Sequence, residues 1–185
     1  MHITCGRFKG RKLEVPKNIP FRPTTERNRQ MVFNRLFDRI PGSRFLDIFA
    51  GSGAMGLEAL SRGARFVGFL ERDPELAAAI AKTLVRFQAE TEGEVRCASA
   101  DAVAKYFTEE NGWDIIFLDP PYEDNPKSAL SPAAGLLRQN GVLILEHGFK
   151  TLPPVVGGTR LVDDRECGDS AFAFYLKTEP GIVWE

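Results

Sequence analysis

Arg44-Phe-Leu-Asp-Ile-Phe-Ala-Gly-Ser-Gly-Ala-Met-Gly-Leu-Glu-Ala-Leu-Ser-Arg-Gly-Ala64 is the stretch that decides how the rest of the chain is read. Its first part, 45–49, is an apolar run too short for a helix and followed by glycines, which reads as a buried parallel strand. Gly51, Gly53 and Gly56 then give a G-x-G-x-x-G spacing, and Met55, Leu57, Ala59 and Leu60 lead into a helix that Gly63 ends. Strand, glycine turn and helix in that order make a nucleotide cradle. The glycines let the backbone approach a ligand, and the helix N-terminus presents unpaired N–H groups.

The same spacing describes a pyrophosphate loop for NAD and a loop for S-adenosylmethionine (SAM), and Asp47 tips the balance. A carboxylate four residues before Gly51 sits badly beside a pyrophosphate but suits a ligand carrying a sulfonium and an ammonium group. The next expected strand, 66–70, runs into Glu71, twenty residues past Gly51, where an acid can take both ribose hydroxyls of either cofactor. Singly, the glycines are an ordinary turn and Asp47 an exposed strand-end acid. Their combination with Glu71 favours the cradle.

The 185 residues, 43% apolar and 26% charged, fit one globular domain with a real core and exclude disordered and fibrous classes. No apolar run approaches the roughly 20 residues of a membrane span, and 1–20 has no signal-peptide segment, so a cytoplasmic protein is expected. Cys5, Cys97 and Cys167 form no C-x-x-C pair, and with His2 and His147 they give no ligand cluster. Reduced thiols and no metal are expected.

A net charge of −1 hides an asymmetry: residues 1–44 hold eleven basic residues against three acidic ones, a balance of +8 that leaves −9 for the remainder. With Phe8 and Phe21 interleaved, this is a nucleic-acid signature, the plain alternative being a solvated basic face. Within it, 2–8 and 12–15 read as two short strands turning at Lys9-Gly10, and Pro16, Pro20 and Pro23 keep the chain extended. A helix follows from Thr24 or Thr25. Thr24 is the better N-cap, Met31, Val32, Leu36, Phe37 and Ile40 form the apolar face, and Pro41-Gly42 ends it.

Beyond Glu71 the pattern alternates. A helix is expected over 74–89, a strand over 94–98, a short helix over 101–107 and a strand over 113–118. A helix over 128–139 interrupted near Pro132 comes next, then a strand over 141–146, and strands over 159–163 and 171–177 about a Gly168-Asp169 turn. These last two suggest a closing hairpin with one antiparallel strand. Asp101 reads equally as an acceptor for an adenine amine and as a helix cap.

After the strand over 113–118 come Asp119, Pro120, Pro121 and Tyr122. Two prolines there neither continue a sheet nor begin a normal helical turn, so they stiffen the carboxyl end of the sheet, where open α/β folds bind ligands. An exocyclic amine on guanine, adenine or cytosine is a poor nucleophile because its lone pair is delocalised into the ring. The Asp119 carboxylate and the Pro120 carbonyl can take its two hydrogens and aim the lone pair at a methyl sulfonium, with Pro120-Pro121 fixing the geometry. Tyr122 can stack on a base that has left its own stack. A Pro-rich connection with a capping Asp is the plain alternative, disfavoured by the cradle upstream.

The acidic first strand with its Phe-Ala-Gly-Ser-Gly turn, the Asp-Pro-Pro-Tyr and the terminal hairpin resemble the SAM-dependent amino methyltransferases of nucleic acids. More narrowly, 6–15 (Gly-Arg-Phe-Lys-Gly-Arg-Lys-Leu-Glu-Val) followed by Arg22-Pro-Thr-Thr-Glu-Arg27 is similar to the bacterial 16S rRNA guanine-N2 methyltransferases of the RsmD type, a resemblance spanning nearly the whole chain. It implies a Rossmann-like α/β fold: a seven-stranded, mostly parallel sheet with its last strand antiparallel, plus a small N-terminal β-hairpin and helix. Residues 1–43 would be an RNA-binding extension and 44–185 the SAM-dependent methyltransferase domain. The implied reaction is direct in-line methyl transfer from SAM to the N2 amine of a guanine held by Asp119 and Pro120, without a covalent enzyme intermediate. The implied partner is 16S rRNA within an assembled or assembling 30S particle, because a chain without a target-recognition domain must borrow specificity from substrate shape.

By match of motif, Asp47, Gly51 and Gly53 would lie near the methionine part of SAM, with Arg22, Pro23 and Thr24 closing over it. Glu71 would hold the ribose and Asp101 the adenine, and Phe49 and Ala102 complete the cofactor-binding set. Asp119, Pro120, Pro121 and Tyr122 would be catalytic, and Arg7, Lys9, Arg11, Lys12 and Arg27 would contact RNA. Three rivals stand beside this reading. A DNA adenine or cytosine amino methyltransferase would use the same tetrapeptide but need further base-reading elements. An NAD-dependent oxidoreductase would need a hydride-transfer site, for which the chain offers two histidines and no second domain. A non-catalytic RNA-binding module would not require Asp-Pro-Pro-Tyr.

Overall fold

The computed structural model describes residues 1–16, 24–108, 112–121 and 127–178. In chain order the elements are α1 (Glu26–Arg35), β1 (Arg44–Ile48), α2 (Ala54–Ser61), β2 (Phe66–Glu71), α3 (Pro74–Phe87) and β3 (Gly93–Cys97). A 3-10 turn (Ala100–Ala102) leads into α4 (Val103–Tyr106), then β4 (Trp113–Leu118), α5 (Lys127–Leu136), β5 (Leu137–Gly148), β6 (Thr159–Cys167) and β7 (Ser170–Lys177). The seven strands form one sheet in the order β3-β2-β1-β4-β5-β7-β6. β1 lies parallel to β2 and β4, and β7 runs antiparallel to both β5 and β6, so the last strand alone opposes the others. The expected Rossmann-like methyltransferase fold is present. Its antiparallel strand follows from chain length: Gly168-Asp169 is room for a hairpin turn, whereas a parallel return needs a crossover of a dozen or more residues.

Alternation along β1 divides the core. Phe45 faces the layer of α1, α2 and α3, while Leu46 and Ile48 face the layer of α4 and α5. Both faces of the central strands are covered, which is why they read as continuous apolar runs. Fully buried Phe45, Phe69, Phe117 and Phe172 each contribute about 1.5–3 kcal/mol by leaving water. α3 starts where Asp73 accepts from the N–H groups of Glu75 and Leu76, with Pro74 in the first turn. No helix among the described residues is long and apolar enough to cross a membrane.

The N-terminal hairpin is present in minimal form. One antiparallel bridge, His2 with Lys12, holds it, flanked by backbone bonds from Ile3 to Arg11 and from Leu13 to Met1, and the reversal is a broad turn rather than a tight one at Lys9-Gly10. The turn is broad because it docks onto the end of α2. Arg7 N–H donates to Ser61 O at 2.8 Å, Phe8 N–H to Ser61 Oγ at 2.9 Å, and Ser61 Oγ to Cys5 O at 2.5 Å. Gly6 has φ +79°, and a Cβ there would lie 1.8 Å from Ser61 O, so no other residue fits.

Two helix expectations are corrected. The N-cap of α1 is Thr25, whose side chain accepts from Asn28 N–H, because Thr24 is drawn toward the β4 end instead. Phe37 is 74% exposed and Phe33 takes the buried place beside Val32, Leu36 and Ile40. The helix ends at Arg35, well before Pro41, so position 37 no longer continues its buried face. The boundary near residue 139 also moves: α5 contains Pro132 but stops at Leu136, and β5 begins at once.

Candidate active site

Helix α2 follows β1 on one face of the sheet and α5 follows β4 on the other, so a crevice opens between the carboxyl ends of these adjacent strands. Asp47 belongs to β1, and the chain then turns through Phe49, Gly51 and Gly53, all at positive φ, before α2 begins. For Phe49, at φ 65°, this left-handed backbone costs about 1–2 kcal/mol, a strain of the kind that concentrates at ligand sites. Gly56, the third glycine of the fingerprint, serves packing: a Cβ would sit 2.3 Å from the Phe69 ring. Its N–H also donates to Asp47 Oδ2 at 2.9 Å, tying the carboxylate to the first turn of α2.

Glu71 closes the other side of the turn. Its Oε2 accepts from Gly51 N–H at 2.7 Å and its Oε1 from Asp73 N–H at 2.9 Å. Each oxygen keeps a second lone pair, enough for two ligand hydroxyls. Asp119 follows β4, half-buried, and the Thr24 hydroxyl donates to its Oδ2 at 3.3 Å. The segment before α1 therefore reaches Asp119 directly. Asp101 and Ala102 lie in the 3-10 turn after β3, at the same end of the sheet, with Asp101 exposed.

Negative charge accumulates here. Asp47 is 1% exposed, and burial, reinforced by the charges of Asp119 and Glu71, pushes its pKa well above the usual carboxylate range against the pull of the Gly56 N–H. Neither Asp47 nor Glu71 has an ion pair with a described residue. A buried acidic cluster beside a glycine turn repels a pyrophosphate and attracts a cation, so the donor set fits the sulfonium and ammonium of SAM.

Of the other expected site residues, Pro120 is half-buried and Pro121 exposed beside Asp119, while Arg22, Pro23 and Tyr122 lie outside the described residues. The basic residues divide. Arg7 pairs with Glu92 at 2.5 Å, and Arg11 donates to Arg86 O at 2.8 Å and lies 4.2 Å over the Phe87 ring, clamping the hairpin to the end of α3. Lys9, Lys12 and Arg27 are exposed.

Sequence reasoning missed the residues that hold this extension in place. Glu58 of α2 is fully buried and accepts from the N–H groups of Thr4 and Cys5, the Thr4 hydroxyl and Arg62 Nε. Arg29, 2% exposed, lies 4.0 Å from Glu58 and donates to His2 O at 2.9 Å. A lone acid inside the apolar run of α2 was the available signal. Among the described residues no cluster of His, Cys, Asp and Glu is placed to hold a metal.

Residues 1–176 match the family described as conserved hypothetical protein 95. The chain is 32% identical over 191 residues to the Escherichia coli (strain K12) protein named ribosomal RNA small subunit methyltransferase D, covering 98% of this chain and 92% of that one. A Haemophilus influenzae protein of the same name is 40% identical over 126 residues, 68% of this chain and 65% of its own. The solved structure of the Escherichia coli protein yhhF superposes with a TM-score of 0.84 at 31% identity, covering 96% of this chain and 97% of that one.

Proposed function

The chain belongs to the RsmD-type methyltransferase family, described as conserved hypothetical protein 95, and from that premise we propose that it methylates the exocyclic N2 amine of a guanine in small-subunit ribosomal RNA. The observation that carries this reading is Asp119, bonded to the Thr24 hydroxyl at the carboxyl end of β4 and near enough to buried Asp47 for its charge, with that of Glu71, to act there. When bound, SAM supplies a methyl group on a sulfonium, a leaving group that needs no proton.

Asp47 and the turn from Phe49 to Gly53 hold the charged methionine end. Glu71 would accept the ribose hydroxyls, Asp101 and Ala102 would hold the adenine, and Arg22, Pro23 and Thr24 would close over the cofactor. The Asp119 carboxylate, which accepts from the Thr24 hydroxyl, takes one amine hydrogen and the Pro120 carbonyl takes the other, which turns the lone pair outward. The Asp119 carboxylate holds the proton that the methylated amine releases. Pro121 stiffens the turn, and Tyr122 would stack on the base. Lys9, Lys12 and Arg27 meet phosphates, and Arg7 and Arg11 keep the hairpin seated while adding to its field.

Substituting Asp119→Asn tests this reading. It removes the charge and replaces one acceptor with a donor while keeping the shape. Turnover is expected to fall about 10²–10³-fold with SAM and RNA affinities retained. Unchanged turnover would remove Asp119 from the chemistry.

A further inference from the structure

At the opposite end of the sheet from the crevice, a pocket of about 270 Å³ is lined by three arginines, Arg39, Arg65 and Arg138, and a single carboxylate, Asp114. Asp114 is already engaged. Its Oδ2 accepts from Arg44 N–H at 2.8 Å and its Oδ1 from Arg138 Nη1 at 3.0 Å. Arg39 donates to a neutral acceptor, Asn140 O, at 2.9 Å, and the Arg65 side chain has no hydrogen bond or ion pair to a described residue. Beside the pocket, Arg44 stacks 4.6 Å over Trp113 and 5.0 Å over Phe66, and burial together with the charges of Arg65 and Arg138 lowers its pKa. Among the described residues that line it, three guanidinium-bearing side chains stand against one carboxylate. Planar guanidiniums suit the oxygens of a phosphate.

We propose that this pocket binds a phosphodiester of the same RNA that is methylated at the far end of the sheet, an inference that rests on the function proposed above. The pocket continues the basic surface of the extension: Arg39 belongs to that segment, the hairpin tip docks on the last turn of α2, and Arg65 lies four residues past Ser61. The length of β4, six residues, separates pocket from crevice by about 20 Å. An RNA that fills both must be folded around the edge of the enzyme, which selects for architecture rather than for local sequence.

The test uses the full chain with Arg65→Glu, and Arg39→Gln with Arg65→Gln, after thermal melts establish that both variants fold. Binding to unmodified small-subunit particles is measured across a salt series, beside methyl transfer and SAM affinity. The slope of log Kd against log salt should become shallower by about one unit for each arginine lost. KM for the particle should rise, with kcat at saturation and SAM affinity unchanged. An unchanged slope and KM in folded variants, with the parent active, would overturn the pocket. Inorganic phosphate and pyrophosphate are titrated in parallel. If they bind the parent but not Arg65→Glu while particle affinity stays the same, the pocket serves free phosphate and the RNA assignment fails. A parent that methylates no RNA would sink the functional reading, and this assignment with it.

Discussion

Asp47 carries an electrostatic cost in the ligand-free fold. It is buried, repelled by Asp119 and Glu71, and its folded-state pKa is raised, so the fold favours its neutral form. The sign follows: the unfolded chain ionises this aspartate near pH 4, while the ligand-free fold must either keep the proton or bear the buried charge. The contribution of Asp47 to stability is therefore greatest below about pH 4 and declines as pH rises through its raised pKa. Asp47→Asn removes that decline. The variant should melt higher than the parent without ligand at pH 7 to 8, with the gap closing toward pH 4. It should also bind SAM less tightly, by about 1.5–3 kcal/mol, because a charge-assisted contact is lost. Thermal melts over pH with calorimetric titration of SAM check both halves, and a variant less stable at pH 8 would contradict the electrostatic argument.

Among the elements, α2 is the joint between the extension and the catalytic sheet. Its N-terminus meets the glycine turn, its sides are buried, and Glu58 gathers four hydrogen bonds from the hairpin and Arg62. Glu58→Ala would strand Arg29 in the core and leave the Thr4 and Cys5 N–H groups unpaired. A loss of about 3–5 kcal/mol is expected in denaturant titration, and a loss below 1 kcal/mol would mean that the hairpin is not held this way. The parallel strands, the crossover helices and the acid positions Asp47, Glu71 and Asp119 were legible because they depend on local patterns: apolar runs, glycine spacing and prolines after a strand. The bond from Thr24 to Asp119, the role of Glu58 and the exposure of Phe37 were not. Thr24 could serve either as a local cap or as a partner for Asp119, ninety-five residues away, and only tertiary proximity selects the second. Glu58 looks like a misplaced surface acid until the hairpin folds across α2, and the buried place given to Phe37 assumed a helix longer than α1.

Over the whole molecule, the charge division between 1–44 and the remainder becomes spatial. Acids gather at the crevice, where a cationic ligand fits, while the exposed lysines of the hairpin and the arginine pocket carry the opposite sign elsewhere on the surface. A surface of this kind attracts a polyanion through its basic parts and repels phosphate from the acidic crevice. On the function proposed above, the expected substrate is a folded ribonucleoprotein, whose phosphates surround one exposed base, rather than a duplex read along its groove. The most direct measurement is transfer of tritiated methyl from SAM to 30S subunits lacking native modifications, to protein-free 16S rRNA and to duplex DNA, followed by nucleoside digestion. Label in N2-methylguanosine, with the assembled or assembling particle preferred over naked RNA, is the predicted result. Label confined to DNA or to methyladenine, or no label on any substrate, would contradict it.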